Sequence, residues 1–203
     1  MDASWYRDVN RFAVHTSWLH PFMRDDALYG VGLYAILVVA AWWYARFGHP
    51  ATRAVAATVW TAVGTVAAVG VNQLIARAVQ RPRPFLKIPG AEVLVAKSHD
   101  FSFPSDHAVT AGAATAGLWV ASYYGPRIIR RLAITSSVLA VLLAFARVYV
   151  GVHYPGDVIV GLGVGAAVVL VGWLALGSLL TRGADVIARS GPLRPLVVAG
   201  PRA

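Results

Sequence analysis

The chain contains no cysteine and carries very little charge. With no cysteine among its 203 residues, it has neither a disulfide nor a thiolate ligand for a metal ion. Only 13% of the residues are charged and 58% are hydrophobic, whereas about 25% of the residues of a typical soluble domain are charged. The composition therefore indicates an integral membrane protein.

Acidic residues are scarce. The sequence has 9 Asp and Glu against 18 Lys and Arg. Because the basic residues flank apolar runs, their excess indicates contact with membrane lipids and no nucleic-acid partner. They divide evenly between the two sides, but several on one side belong to polar clusters. We therefore expect the side of Arg127, Arg130 and Arg131 to be cytoplasmic, in a multi-pass protein of the cell inner (plasma) membrane.

Long runs without Asp, Glu, Lys or Arg predict membrane-spanning helices. Four such runs are about long enough to cross a hydrocarbon core, namely 27–45, 54–76, 108–126 and 158–181. A fifth run, 132–152, contains only Arg147 as a charged residue. The sequence thus predicts an all-α integral membrane protein, one domain whose bundle of about five transmembrane helices occupies 27–181.

The two ends of the chain differ from this bundle. Trp5, Val9 and Phe12 recur at the spacing of one helical face, so residues 1–26 are predicted to form an interfacial amphipathic helix on the outer side. Gly191-Pro192 and Gly200-Pro201 break helical patterns. Residues 182–203 are therefore predicted to be a loose cytoplasmic tail.

Three short polar clusters interrupt the apolar chain. They are Arg81-Pro82-Arg83-Pro84, then Pro104-Ser105-Asp106-His107, then Arg147 followed by His153 and Asp157. With five spans, all three clusters fall at the outer face of the membrane. Ionisable groups at the ends of membrane helices are costly unless they are paired or functional, so the clusters predict one site.

The third cluster has the residues of an activated nucleophile. His153 and Asp157 are four residues apart, which places them on one face of a helix. The carboxylate can then accept the imidazole N–H and leave the other ring nitrogen free to attack. Taken singly, His153 is equally well read as an interfacial histidine and Asp157 as a first-turn helix acid.

The other clusters can hold a phosphate group. Ser105 precedes an apolar run, and the amides of a helix N-terminus together with a serine hydroxyl bind anions; alone, it is an ordinary cap. Arg81, Arg83 and Arg147 are planar cations that grip phosphate oxygens, although arginines also anchor lipid headgroups. Together the residues predict phosphoryl transfer. Without cysteine or an acidic cluster of ligand spacing, no metal or cofactor is expected.

These motifs resemble those of the type 2 phosphatidic acid phosphatase superfamily. The family pattern is Lys-x6-Arg-Pro, Pro-Ser-Gly-His and Ser-Arg-x5-His-x3-Asp, and it is matched between about residues 72 and 160. The resemblance implies that His153 forms a phosphohistidine, that His107 protonates the leaving group, and that Asp157 orients the nucleophile. It also implies that Arg83, Arg147 and Ser105 bind the phosphate. Asp106 and Arg81, which lie in the same clusters, are further predicted to bind the substrate.

Three positions depart from the family pattern. The lysine expected seven residues before Arg83 is Ala76, the glycine of the second motif is Asp106, and the serine before Arg147 is Ala146. Arg77 and Arg81 are the candidate replacements for the missing lysine.

The residues that flank the three motifs indicate a narrower class of substrate. Arg-Pro-Arg-Pro-Phe, Phe-Pro-Ser-Asp-His and Val-His-Tyr-Pro-Gly-Asp are similar to the bacterial branch that dephosphorylates undecaprenyl diphosphate. This implies metal-independent hydrolysis of a lipid phosphate or diphosphate. Three alternatives stay open: a phosphatase for phosphatidic acid or phosphatidylglycerophosphate, a lipid phosphotransferase with the same site, and a non-catalytic lipid-binding protein.

Overall fold

The structure is a computed structural model that describes residues 1–48 and 50–199. Every regular element in these two ranges is helical, which confirms the predicted all-α class. The α-helices are α1 (Asp2–His15), α2 (His20–Ala45), α3 (Ala51–Val79), α4 (Asp106–Tyr124), α5 (Arg127–Tyr149) and α6 (Pro155–Arg189). Short 3-10 helices are formed by Ser17–Leu19, Pro84–Leu86 and Arg194–Leu196.

Four helical segments are long and apolar enough to cross a membrane. They are Ser17–Ala45, Ala51–Leu86, Arg127–Tyr149 and Pro155–Arg189. Each overlaps one of the predicted runs, and together they confirm an integral membrane protein.

The remaining predicted run, 108–126, forms α4, which is not among the segments that are apolar enough to span. It nevertheless covers the same depth as α3, to which it is antiparallel. Asn72 of α3 contacts Asp106 at the start of α4, and a Cβ placed on Gly125 at its end would lie 3.4 Å from the Cβ of Ala54. Helices α3, α5 and α6 all pack against α4. Its small and hydroxylated residues therefore face protein, so its low hydropathy reflects packing.

Glycines bring α4 and α6 into backbone contact. A Cβ on Gly112 would lie 2.1 Å from the carbonyl oxygen of Leu162, and one on Gly165 would lie 2.0 Å from that of Val109. Small residues at such crossings let membrane helices pack by van der Waals contact, since lipid supplies no hydrophobic drive between them. The crossing holds the start of α4 against the start of α6, where two of the polar clusters lie.

Helix α1 lies across the end of the bundle that carries the polar clusters. Tyr6, Asn10 and Ala13 are its buried residues, while Trp5 and Phe12 are exposed. The separate N-terminal helix matches the expectation for the first residues of the chain, but its predicted extent of 1–26 is too long. α2 already begins at His20, because a proline at its first turn favours helix initiation.

The predicted loose tail is wrong for residues 182–199. α6 continues to Arg189, and the following segment packs back on α2: the indole of Trp42 donates to the carbonyl of Leu196 (3.1 Å) and Arg46 Nη1 donates to that of Pro195 (2.9 Å). Val197 is buried. Glycine and proline therefore end the helix at Ser190 without detaching the chain. Residues 200–203 of the predicted tail lie outside the described residues.

The α4–α6 crossing yields a stability prediction. Gly165→Ala pushes a methyl group into the backbone of α4, so we expect a loss of about 1–3 kcal/mol in the free energy of unfolding. The measurement is thermal unfolding in detergent.

Gly163→Ala is the matched control, because a Cβ at Gly163 meets nothing described within 4 Å. Equal unfolding temperatures for the two variants would contradict the glycine-mediated contact.

Candidate active site

The three polar clusters meet at one end of the bundle. They surround a cavity of about 250 Å³ formed by α2, by the start of α4 and the end of α5, and by the loops that connect α3 to α4 and α5 to α6. Five of the predicted site residues line this cavity: Arg83, Asp106, His107, Arg147 and His153. Asp157, Ser105 and Arg81 are placed differently, as described below.

His153 is buried, and its two ring nitrogens face different partners. Nδ1 lies 2.8 Å from the carbonyl oxygen of Ser102. A carbonyl only accepts, so Nδ1 carries the proton and Nε2 carries the lone pair. Nε2 lies 3.2 Å from Nη1 of Arg83 and 3.4 Å from Nη2 of Arg147, and both arginines are obligate donors. Nε2 of His153 therefore points between two cations, at the cavity wall.

Asp157 reaches His153 less directly than its spacing predicts. The carboxylate is fully buried, and its Oδ2 lies 3.7 Å from Nδ1 of His153, which is beyond hydrogen-bonding distance. Oδ2 instead accepts the Tyr154 amide (2.9 Å) and the Ser102 hydroxyl. Because Asp157 caps the start of α6, its Oδ2 is occupied by the Tyr154 amide and by Ser102. The predicted direct orientation is therefore corrected: Asp157 holds Ser102, and the carbonyl of Ser102 orients His153.

Arg81 lies outside the lining of the cavity, on the far side of Asp157. Nη1 donates to Oδ1 of Asp157 and Nη2 to Oδ2 of Asp2, each at 2.6 Å. The guanidinium also stacks over the ring of Tyr154 at 4.0 Å. Two carboxylates neutralise this arginine, so its predicted role as a substrate ligand is not supported by its position.

Arg83 and Arg147 are each anchored to at least one backbone carbonyl. Arg83 Nη1 donates to the carbonyl of Val152 (2.9 Å), and Arg147 Nη1 donates to that of Ala27 (2.9 Å). Carbonyls fix a guanidinium without cancelling its charge. Arg83 also forms an ion pair with Asp100 at 2.9 Å, whose side chain is 62% exposed. Nε of Arg147 is buried with no hydrogen-bond partner among the described residues.

The start of α4 contributes Ser105, Asp106 and His107. Ser105 is the N-cap residue of α4, and its buried hydroxyl has no partner within the described part of the chain. Oδ1 of Asp106 accepts from the amides of Asn72 (2.6 Å) and Gln73 (2.8 Å). Asp106 thus lines the cavity and also ties α4 to α3. His107 faces the same cavity as His153.

Comparison with known proteins identifies the family. The sequence model of the PAP2 superfamily matches residues 57–179. The chain belongs to the PAP2 superfamily. This agrees with the family inferred from the three motifs, and it makes the protein a membrane-embedded lipid phosphatase.

Two curated relatives share sequence with this PAP2 protein. It is 26% identical over 191 residues to undecaprenyl-diphosphatase BcrC of Bacillus subtilis, covering 93% of this chain and 91% of the relative. It is 34% identical over 114 residues to an undecaprenyl-diphosphatase of Sulfolobus acidocaldarius, covering 56% of this chain and 47% of the relative.

Two solved structures share the fold. A PAP2-type phosphatidylglycerolphosphate phosphatase from Bacillus subtilis has a TM-score of 0.62 at 22% identity, over 90% of this chain and 85% of that one. LpxE of Aquifex aeolicus has a TM-score of 0.59 at 21% identity, over 84% of this chain and 93% of that one.

Neither Arg77 nor Arg81, the candidates for the missing lysine of the PAP2 pattern, lines the cavity. Arg77 is exposed near the end of α3, and Arg81 is neutralised by Asp2 and Asp157. In the described chain, the cations that line the cavity are Arg83 and Arg147.

Sequence reasoning missed Ser102, Asp100 and Asp2 as parts of the site. Ser102 and Asp100 lie in a loop without a helical or strand pattern, and Asp2 is 79 residues from its partner Arg81. Local spacing carries no signal for such contacts. One general signal was available. Buried charges need partners, and because the chain has half as many acidic as basic residues, each acidic residue was a candidate partner for a buried arginine.

The environment of His153 yields a prediction for its titration. Burial lowers the pKa of His153 from 6.5 to about 4, and the positive charges of Arg147 and Arg83 add to this effect, while Asp157 opposes it. We expect ¹⁵N NMR of histidine-labelled protein to show a neutral ring with its proton on Nδ1 throughout about pH 5 to 8.

Titration of this ring near pH 6.5 would contradict its burial. The unfolded chain protonates His153 near 6.5 and the folded protein only near 4. His153 therefore lowers the free energy of unfolding progressively as the pH falls through that window.

Proposed function

We propose that this PAP2 protein hydrolyses undecaprenyl diphosphate, or a closely related polyprenyl diphosphate, to the monophosphate without a metal ion, through a phosphohistidine at His153. The observation that carries the proposal is the position of His153 Nε2, which bears a lone pair and faces Arg83 at 3.2 Å and Arg147 at 3.4 Å. Phosphoryl transfer requires little more than a placed nucleophile and fixed positive charge.

In the first step, Nε2 of His153 attacks the terminal phosphorus, and the bond from that phosphorus to the bridging oxygen breaks. The Nδ1–H remains on the ring and donates to the carbonyl of Ser102, which stabilises the positive charge that develops on the imidazole. Attack needs no removal of a proton from His153, because Nε2 is already unprotonated.

Arg83 and Arg147 stabilise the transferring group. Both are anchored to backbone carbonyls, so their N–H groups stay directed at the place where the equatorial oxygens lie. The unpartnered Nε of Arg147 and hydroxyl of Ser105 are the further donors that a bound phosphate would satisfy. These fixed charges take the part that Mg²⁺ plays in other phosphatases.

His107 completes the proposed cycle. It gives a proton to the leaving lipid phosphate, then accepts a proton from the water that attacks the phosphohistidine. Inorganic phosphate leaves and His153 returns to its starting state. General acid catalysis of this kind contributes about 10²–10⁴-fold to a rate.

The substrate and the membrane side are supported by sequence. The two curated relatives are named undecaprenyl-diphosphatases, and one of them aligns over 93% of this chain. The basic residues at the start of α5, Arg127, Arg130 and Arg131, favour a cytoplasmic location of that end of α5. The site lies at the opposite end of the bundle, and hence on the outer face of the plasma membrane.

The decisive assay is phosphate release in detergent with EDTA, from undecaprenyl diphosphate, phosphatidic acid and phosphatidylglycerophosphate in parallel. We expect undecaprenyl diphosphate to be the fastest substrate, and His153→Ala to lower its turnover by roughly 10⁴–10⁶-fold because the nucleophile is lost.

His15→Ala serves as the control, since this exposed histidine bonds only within α1 among the described residues. Full activity of His153→Ala, or dependence on added Mg²⁺, would contradict the mechanism. Transfer of the phosphate to a second lipid would instead indicate the phosphotransferase.

A second prediction tests whether His107 acts as the general acid for the leaving group. His107→Gln should slow the release of a lipid alcohol from phosphatidic acid by roughly 10²–10⁴-fold. It should slow phosphoenzyme formation from a diphosphate much less, because a phosphate leaving group is already a weak base. The measurement is rapid-quench trapping of ³²P-labelled, acid-labile protein, and equal effects on both substrates would argue against the assignment of His107 as general acid.

A further inference from the structure

A carboxylate from the N-terminal helix α1 contacts the start of α6, close to His153 in the chain. Asp2, in the first turn of α1, accepts the amide N–H of Gly156 at 2.8 Å and Nη2 of Arg81 at 2.6 Å. Gly156 lies between the proposed nucleophile and Asp157 in the chain. Asp2 thus contacts the start of α6 through both backbone and side chain.

Arg81 connects Asp2 to the buried carboxylate. Its Nη1 donates to Oδ1 of Asp157 at 2.6 Å, and Asp157 is fully buried whereas the side chain of Asp2 is 31% exposed. Asp157 in turn accepts the hydroxyl of Ser102, whose carbonyl holds Nδ1 of His153. A chain of hydrogen-bonded residues, Asp2, Arg81, Asp157 and Ser102, therefore runs from α1 to the ring of His153.

Helix α1 is fixed in place by contacts that do not involve Asp2. The hydroxyl of Tyr6 donates to the carbonyl of Gly151 (3.1 Å), and Asn10 makes paired bonds with the backbone of Glu92 (2.8 and 3.0 Å). Asp2 is consequently presented by a docked helix, which lowers the entropic cost of holding Arg81.

We propose that Asp2 is a positioning residue for the hydrolysis, holding Arg81 and the start of α6 so that Asp157 and Ser102 fix the ring of His153. This inference rests on the proposed function. With Asp2 neutral, one end of the Arg81 guanidinium loses its charged acceptor and the Gly156 amide loses its carboxylate partner. The ring of His153 then samples a wider range of orientations, and misplacement of about 1 Å costs about 10²-fold in rate.

The effect is expected on turnover and not on substrate affinity. Arg83 and Arg147 contact His153 on its Nε2 side, opposite the side that Asp2 supports. Asp2→Asn should lower kcat by roughly 10–100-fold with KM within about twofold. Asp2→Glu, which restores the charge, should recover much of that loss.

Gly156→Ala tests the same contact from α6. A Cβ there would lie 2.9 Å from Oδ2 of Asp2, so it should displace the carboxylate and lower kcat in the same way. In an Asp2→Asn background, Gly156→Ala should lower kcat little further, because the contact between Asp2 and Gly156 is already weakened. Asp8→Asn, at an exposed position of α1, and Gly163→Ala, in open space on α6, are the matched controls.

A readout without turnover accompanies the kinetics. The ¹⁵N signal of His153 Nδ1 should shift or broaden in Asp2→Asn and stay unchanged in Asp8→Asn, with the same unfolding temperature for both. Wild-type kcat in Asp2→Asn, no recovery with Asp2→Glu, or an unchanged Nδ1 signal would overturn the role of Asp2 alone. Full activity of His153→Ala in the same assay would overturn the proposed function and this role with it.

Discussion

The buried residue Asp157 joins the start of α6 to the start of α4 and to the loop between α3 and α4. Its oxygens accept from Arg81 after α3, from Ser102 in the following loop and from the Tyr154 amide at the start of α6. Its backbone carbonyl accepts from the amide of Ser105 at the start of α4 (3.1 Å). A carboxylate buried in a dry interior costs free energy unless such donors are supplied. The need to supply them to Asp157 therefore fixes how these segments are arranged relative to one another.

The three arginines of the site have two kinds of anchor, carboxylates and backbone carbonyls. Arg81 lies between two carboxylates, so its charge is used inside the protein. Arg147 is held by the carbonyl of Ala27, and Arg83 by the carbonyl of Val152 together with an exposed Asp100. Carbonyl dipoles orient a guanidinium and leave most of its field directed outward. The two arginines that face His153 therefore supply the positive potential of the cavity.

Close helix packing keeps this polar arrangement rigid. The α4–α6 crossing depends on Gly112 and Gly165, where each backbone meets the other directly. Leucine-rich faces could not approach so closely, and a bilayer offers them no hydrophobic reward for association. The small residues that allow this packing lower the hydropathy of α4. Helix α4 therefore does not resemble a lipid-facing span, and α3, α5 and α6 pack against it.

Apolar runs determined from the sequence alone that this is an all-helical membrane protein, and motif spacing placed His107, His153, Arg83 and Arg147 at one end of it. Those predictions succeed because membrane thickness and helical period are local constraints. Tertiary structure decided that Arg81 supports Asp157, that Ser102 holds His153, and that Asp2 joins them across 79 positions of sequence. The physical reason is that a buried charge takes its partner from whichever segment folding brings near, and no local pattern in the sequence records which segment that is.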